Sequence, residues 1–224
     1  MVLHNSSEKD KILNQMRDRY TSAAILFHPF VQVNRSTNAF EKDGELYPST
    51  KEILTNTLRC RWQSINEYLR FNSFDELELG LKSSNGSLNK NYANFDFANR
   101  LERKLPKNIF LPNSDQISEY ILQDIFDYFI KKDKERFFWK DPLTGNSGFR
   151  NTKGLDLDSI YNCFLSEMFI EDENKEFALL SVYDSFYTIL YSSEDKIDEI
   201  LNTINVDYKK CDNETTDHWY ITNN

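Results

Sequence analysis

The chain has 224 residues, a formal net charge of −9 and an aromatic fraction of 14%. That length buries a substantial core, as one large domain or two small ones, and the acidic balance argues against a general nucleic-acid binder, which needs a basic surface to neutralise phosphate. No apolar run approaches the roughly 20 residues of a membrane span, and the opening MVLHNSSEKDKIL lacks the basic-then-apolar order of a signal peptide, so a soluble, cytoplasmic protein with no membrane partner is expected.

In chain order, Ser6 or Ser7 caps a first helix running to about Tyr20, with Ile12, Leu13 and Met16 on its apolar side. AAILFHPFVQV, from Ala23 to Val33, reads as a strand that Pro29 either kinks or ends near His28. Residues 34–48 hold no period and read as a loop. Ser49 with Glu52, and Ser73 with Glu76, have capping-box spacing, which starts one helix before Ile53 and another over Phe74–Lys82; a short helix begins near Trp62 between them. Leu88 to Leu105 keeps helical spacing at Tyr92, Phe95, Ala98 and Leu101. Pro106 and Pro112 then bracket an extended KNIFL, which is taken as a hinge.

Beyond that hinge, Asn113 or Ser114 begins a helix whose buried stripe is Ile117, Ile121, Ile125 and Tyr128 or Phe129. ERFFWKD (135–141) reads as a strand, DPLTGNSG (141–148) as a turn-rich loop, and Leu157 to Phe169 as a helix capped by Asp156 or Asp158 before the acidic loop EDENKE. Phe177 to Ile204 reads as strand, tight turn at Asp184-Ser185, strand and helix. The implied pairs are Ser181/Thr188, Leu180/Ile189, Leu179/Leu190 and Ala178/Tyr191. Val182, Tyr187, Leu180 and Ile189 make the more apolar face, and the helix capped by Ser192, with Asp195 in its first turn and Ile197, Ile200, Leu201 and Ile204 in its stripe, is expected to cover it. Two closing strands are expected near Val206–Cys211 and His218–Thr222.

The fold class is therefore α+β: a helix-rich lobe over residues 1–112, with one strand near 23–33, and an acidic α+β lobe over 113–224 built on a mainly antiparallel sheet covered by helices. The two are expected to form one compact unit. Charge divides along the same line, since residues 1–110 carry a net +3 and residues 111–224 a net −12. An acidic face suits a basic protein partner, though a solvated face that keeps the protein soluble is the blander reading.

Motifs for chemistry are sparse. The six glycines form neither GxGxxG nor GxxxxGK[ST], and GNSG at 145–148 is better read as a turn than as an anion nest. HxxxH, CxxC, HxE and GxSxG are absent, so no metal site, cofactor or elbow nucleophile is expected. Cys60, Cys163 and Cys211 are odd in number and widely spaced, which suits free thiols in a reducing compartment rather than a disulfide framework. Asp124/Asp127, Asp156/Asp158 and Glu171/Asp172/Glu173 fit caps and solvated faces. The best binding candidates are Trp219 and Tyr220, with His218, Asp217 and Asp184 beside them if the chain's end lies against the hairpin; core packing explains the two aromatic rings equally well.

YPSTKEIL (47–54), WQSINEYL (62–69), DELELGL (75–81) and LLSVYDSFYTILYSS (179–193), in this order, resemble a group of uncharacterised cytosolic proteins of low-GC Gram-positive bacteria, defined as a domain of unknown function. That resemblance implies fold and location and carries no catalytic residue. A non-enzymatic binding protein, such as an immunity protein that neutralises a toxin, is the favoured reading. The alternative is a small enzyme or ligand-binding protein with a pocket between the lobes, in which His28, His218 and acidic residues take part.

Overall fold

The apolar run from Ala23 to Val33 is cut in two at His28–Pro29, and the cut organises the molecule. In the computed structural model, which describes residues 11–33, 47–88 and 90–218, the run forms β1 (Ser22–Phe27) and β2 (Phe30–Val33), and the two strands belong to different sheets. Proline cannot donate to a ladder, so the chain changes sheets where the donor is missing. β2 is the middle of a small antiparallel sheet between β3 (Thr57–Cys60) and β4 (Ile109–Phe110).

The larger sheet adds β5 (Arg136–Lys140), β6 (Ser147–Asn151), β7 (Phe169–Asp172), β8 (Phe177–Ser181), β9 (Tyr187–Ser192) and β10 (Tyr208–Lys210). Its seven strands run antiparallel in the order β10-β1-β9-β8-β7-β5-β6, which places β1 inside the sheet between β9 and β10. β8 and β9 pair in the expected register, Ser181 opposite Thr188 through Ala178 opposite Tyr191. Together with the helices this is an α+β fold.

The helices are α1 (Ile12–Gln15), α2 (Thr50–Asn56), α3 (Trp62–Leu69), α4 (Phe74–Ser84), α5 (Phe95–Lys104), α6 (Glu119–Lys131), α7 (Leu157–Tyr161) and α8 (Ile197–Leu201). Ser49 closes a full capping box on Glu52, and Ser73 accepts the Glu76 amide, so both starts are those the spacing dictates. α5 begins only at Phe95, where Asn94 caps it, and Tyr92 and Phe95 are exposed. α6 begins at Glu119, because Asp115 at φ 71° breaks any helix started at Asn113 or Ser114. The described part of the first expected helix is the single turn α1; Ser6 and Ser7 lie outside the described residues.

Both faces of the sheet are buried, because strand residues alternate. Ala24, Leu26, Leu179 and Leu190 meet α6 and α8, whereas Ala23, Ile25, Phe27, Tyr187, Ile189 and Tyr191 meet α1, α3 and α4. The expected cover is thus reversed: Ile197, Ile200, Leu201 and Ile204 pack on the Leu179/Leu190 face. The polar break on that face is tolerated because both hydroxyls are satisfied. Ser181 Oγ accepts the Met168 amide at 2.6 Å, and Thr188 Oγ donates to His28 Nε2 at 2.8 Å. Ser192 ends β9 and donates to the Glu176 carbonyl instead of capping α8.

Three further local readings change. α7 is one short turn capped by Asp156, and Phe169 already belongs to β7. β3 occupies a segment to which the sequence reading gives no element, and β6 begins inside the expected loop at 141–148 and runs on to Asn151. EDENKE is not wholly a solvated loop, since Glu171 and Asp172 are buried in β7, each beside a cation: Arg19 Nη1 lies 2.7 Å from Glu171 and Lys134 Nζ 2.8 Å from Asp172. Among the described residues no helix is long and apolar enough to cross a membrane.

Candidate functional site

Helix α4 buries Leu77 and Leu81 and, on the same side, two charged residues one turn apart, Glu78 and Lys82. The close seat of α5 against α4 depends on Gly80, where an added Cβ would stand 3.1 Å from Leu101 Cδ1 and 3.2 Å from Phe97 Cβ. Glu78 is fully buried, and neither carboxylate oxygen makes a hydrogen bond of ordinary geometry. Burial pushes its pKa up to about 7, against the opposing pull of Lys82 and of the Phe186 backbone.

Lys82 Nζ donates to Ser185 Oγ at 3.0 Å, and Ser185 Oγ in turn donates to the Tyr183 carbonyl at 3.2 Å. Burial lowers the Lys82 pKa, while Glu78, Asp184, Asp217 and Asp115 favour its charged form. Carboxylates of α4, the β8–β9 turn, the C-terminal segment and the loop before α6 thus each bear on this ammonium group through the electrostatic field. The turn is closed by the Ser185 amide on the Val182 carbonyl at 3.1 Å, so Tyr183 and Asp184 sit at its centre rather than Asp184 and Ser185. Asp184 adopts φ 53° and its amide donates to Asp115, itself at φ 71°. Two left-handed aspartates in contact are sterically costly and persist only where the surroundings hold them.

The same end of the sheet carries an exposed apolar rim. Asp141 accepts the Leu143 amide at 2.8 Å, the Thr144 amide at 3.1 Å and the Leu165 amide at 3.2 Å, which joins the loops at 141–146 and 162–168. Burial works to raise the Asp141 pKa, but those amides outweigh it and hold the carboxyl below its usual range. Glu167 accepts the Tyr183 amide at 3.2 Å; burial raises its pKa, and Asp115 and Asp141 add to the rise. On this pinned frame Leu143, Leu165 and Tyr183 are 67%, 70% and 61% exposed. Large apolar side chains held rigidly in solvent among carboxylates suit contact with another molecule.

His28 anchors the site from beneath. Its Nδ1 lies 2.9 Å from the Asn113 carbonyl and must donate to it, so Nε2 carries no proton and accepts from Thr188. Burial lowers its pKa to about 4. Its backbone amide donates to Phe186 and its carbonyl accepts Trp62 Nε1 at 2.7 Å. A neutral, fully buried imidazole with both nitrogens occupied is a structural pin.

Of the binding residues expected from the sequence, Asp184 and Asp217 both favour the charged form of Lys82. His218 follows Asp217 and is half-buried, and the Asp217 carbonyl accepts the Tyr187 hydroxyl at 2.7 Å. Trp219 and Tyr220 lie outside the described residues. Burial pushes the Cys211 thiol up to about 12 and raises that of Cys60, which suits inert thiols. Among the described residues no three or more His, Cys, Asp or Glu converge as a metal cage. Glu78, Lys82, Ser185, Asp115, Glu167, Leu143 and Leu165 escaped the sequence reading. The one signal for them was a Glu/Lys pair at i, i+4 beside Leu77 and Leu81.

The Bacillus subtilis (strain 168) protein described as "Uncharacterized protein YwbB" is 27% identical over 216 residues, covering 95% of this chain and 96% of that protein. No solved structure matches the chain. Residues 8–221 match the family described as "Protein of unknown function (DUF2711)", and the chain belongs to that family.

Proposed function

We propose that the protein is a non-enzymatic, cytoplasmic binding protein that engages a basic protein partner through the loop end around Tyr183 and Asp184. The observation that carries this reading is the exposed set of Leu143, Leu165 and Tyr183, pinned by Asp141 and Glu167, with Asp184 and Asp115 beside Tyr183. Rigid apolar anchors cost little entropy on binding, and the carboxylates around them steer and select a cationic surface. Ser185 beside Lys82 has the composition of a serine–lysine nucleophile pair, yet Ser185 is 1% exposed. The pair therefore supports a role in holding the turn.

Affinity capture from the native host with the tagged protein tests the reading. The expected result is a basic partner that co-elutes in a stoichiometric complex, weakens with added salt, and is lost with the Leu165→Ser/Tyr183→Ala double variant. No partner above background, or one retained equally by the double variant, overturns it.

A further inference from the structure

α6 has a second stripe that its core role leaves over. Ile121, Leu122, Ile125 and Phe129 fill the main core, and Phe126, itself a buried member of that core, joins Gln123, Asp127 and Ile130 in lining a half-open groove of about 420 Å³ between α6, α2 and the loop at 152–158. The floor is apolar: Phe126 and Ile130 face Leu54, Leu155 and Leu157 across it. Ile130 is 52% exposed, which the packing of the fold does not require. A volume of this size falls in the range of small-molecule sites.

The charge around the groove selects its occupant. Asp127, Asp156 and Asp158 line it against one cation, Lys51. Asp156 is partly committed to capping α7. Among the described residues Asp127 has neither an ion pair nor a hydrogen bond to its carboxylate. The Asp158 charge also helps to raise the pKa of Glu119, after the larger effect of burial, so the field at that end is negative. A carboxylate or phosphate ligand would face three like charges, whereas a cationic group would be drawn to them; a neutral apolar ligand would gain nothing from them.

We infer that this groove binds an amphipathic amine, its apolar body lying on Phe126 and Ile130 and its ammonium group between Asp127 and Asp158. The groove uses residues other than those of the loop end, so the two sites stand or fall separately. Isothermal titration with octylamine, with octanoate and octanol as controls, tests the site on the full chain. Saturable one-to-one binding of octylamine is expected, with octanoate silent and octanol weaker. Asp127→Asn/Asp158→Asn should weaken octylamine about tenfold, and Ile130→Ser should weaken it severalfold; a thermal melt of each variant confirms that it is folded. Absence of saturable octylamine binding, equal binding of octanoate, or binding unchanged in the aspartate double variant overturns the assignment.

Discussion

Lys82 on α4 donates to Ser185 Oγ at 3.0 Å, which ties a helix from the first half of the chain to the tip of the β8–β9 hairpin from the second. Glu78 and, to a lesser degree, Asp184, Asp217 and Asp115 also favour the charged form of this ammonium group. Removing the cation leaves the buried Glu78 without its countercharge and Ser185 Oγ without its donor, which costs about 3 kcal/mol. Lys82→Met should therefore lower the unfolding free energy by that amount at neutral pH. In a Glu78→Gln background the same change should cost at least about 1 kcal/mol less, because the two residues act on each other. Urea unfolding of the four proteins of this cycle measures the coupling, and additive costs would exclude it.

Glu78 makes stability depend on pH in a direction opposite to that of an ordinary paired carboxylate. Its pKa is raised from the usual 4.5 to about 7 by burial, so the folded state holds a proton that the unfolded chain releases first. The contribution is fully present below pH 4.5 and is lost as pH rises through 7. At 1.36 kcal/mol per pH unit the swing is about 3 kcal/mol. Glu78→Gln has no proton to lose, so its stability relative to the wild type should rise by about 3 kcal/mol between pH 4.5 and pH 8. Unfolding free energies at five pH values in that window test this, and parallel curves for the two proteins would contradict it.

Local chemistry was legible in the sequence where the signal and its partner lie a few residues apart. The Ser49 and Ser73 helix starts and the Ser181/Thr188 register are of that kind. What could not be read depends on partners far along the chain. α8 covers the Leu179/Leu190 face because β1 carries Ala24 and Leu26 into that core, and nothing near residue 190 announces β1 as a neighbour. Glu171 and Asp172 looked solvated because Arg19 and Lys134 are remote in sequence. Asp184 and Asp217 are singled out together in the sequence, but Lys82, on which both bear, stands far before them in the chain and appears there only as the end of the Phe74–Lys82 helix.

Gly80 sets how closely α4 and α5 approach. Alanine gains about 0.5–1 kcal/mol in a helix interior relative to glycine, but its methyl would stand 3.1 Å from Leu101 Cδ1 and 3.2 Å from Phe97 Cβ. The leucine methyl can rotate away; Phe97 Cβ moves only with its backbone. Overpacking of this kind costs about 1–3 kcal/mol, so Gly80→Ala should destabilise the protein by about 1 kcal/mol net, whereas Gly86→Ala, which meets no atom within 4 Å, should lose only what its φ of 76° imposes. A Gly80→Ala protein as stable as wild type in chemical denaturation would show that α5 is free to shift.

His28 holds the junction of the two sheets and should be costly to remove. Truncation leaves the Asn113 carbonyl and the Thr188 hydroxyl without their partner and opens a cavity between them, an expected loss of about 3 kcal/mol at pH 7.5 for His28→Ala. The imidazole has its pKa lowered from 6.5 to about 4 by burial, so the unfolded chain takes up a proton before the folded protein does. Its contribution is complete above pH 6.5 and is lost as pH falls toward 4. The gap between wild type and His28→Ala should therefore narrow on acidification by up to about 3 kcal/mol. Glu78 stabilises the fold over nearly the same fall in pH, so the wild-type profile alone hides both effects. Comparing each single variant with wild type separates them: the His28→Ala difference shrinks toward pH 4, and the Glu78→Gln advantage vanishes there. A constant His28→Ala deficit from pH 7.5 to 4 would mean that the imidazole is charged or hydrated in the folded protein.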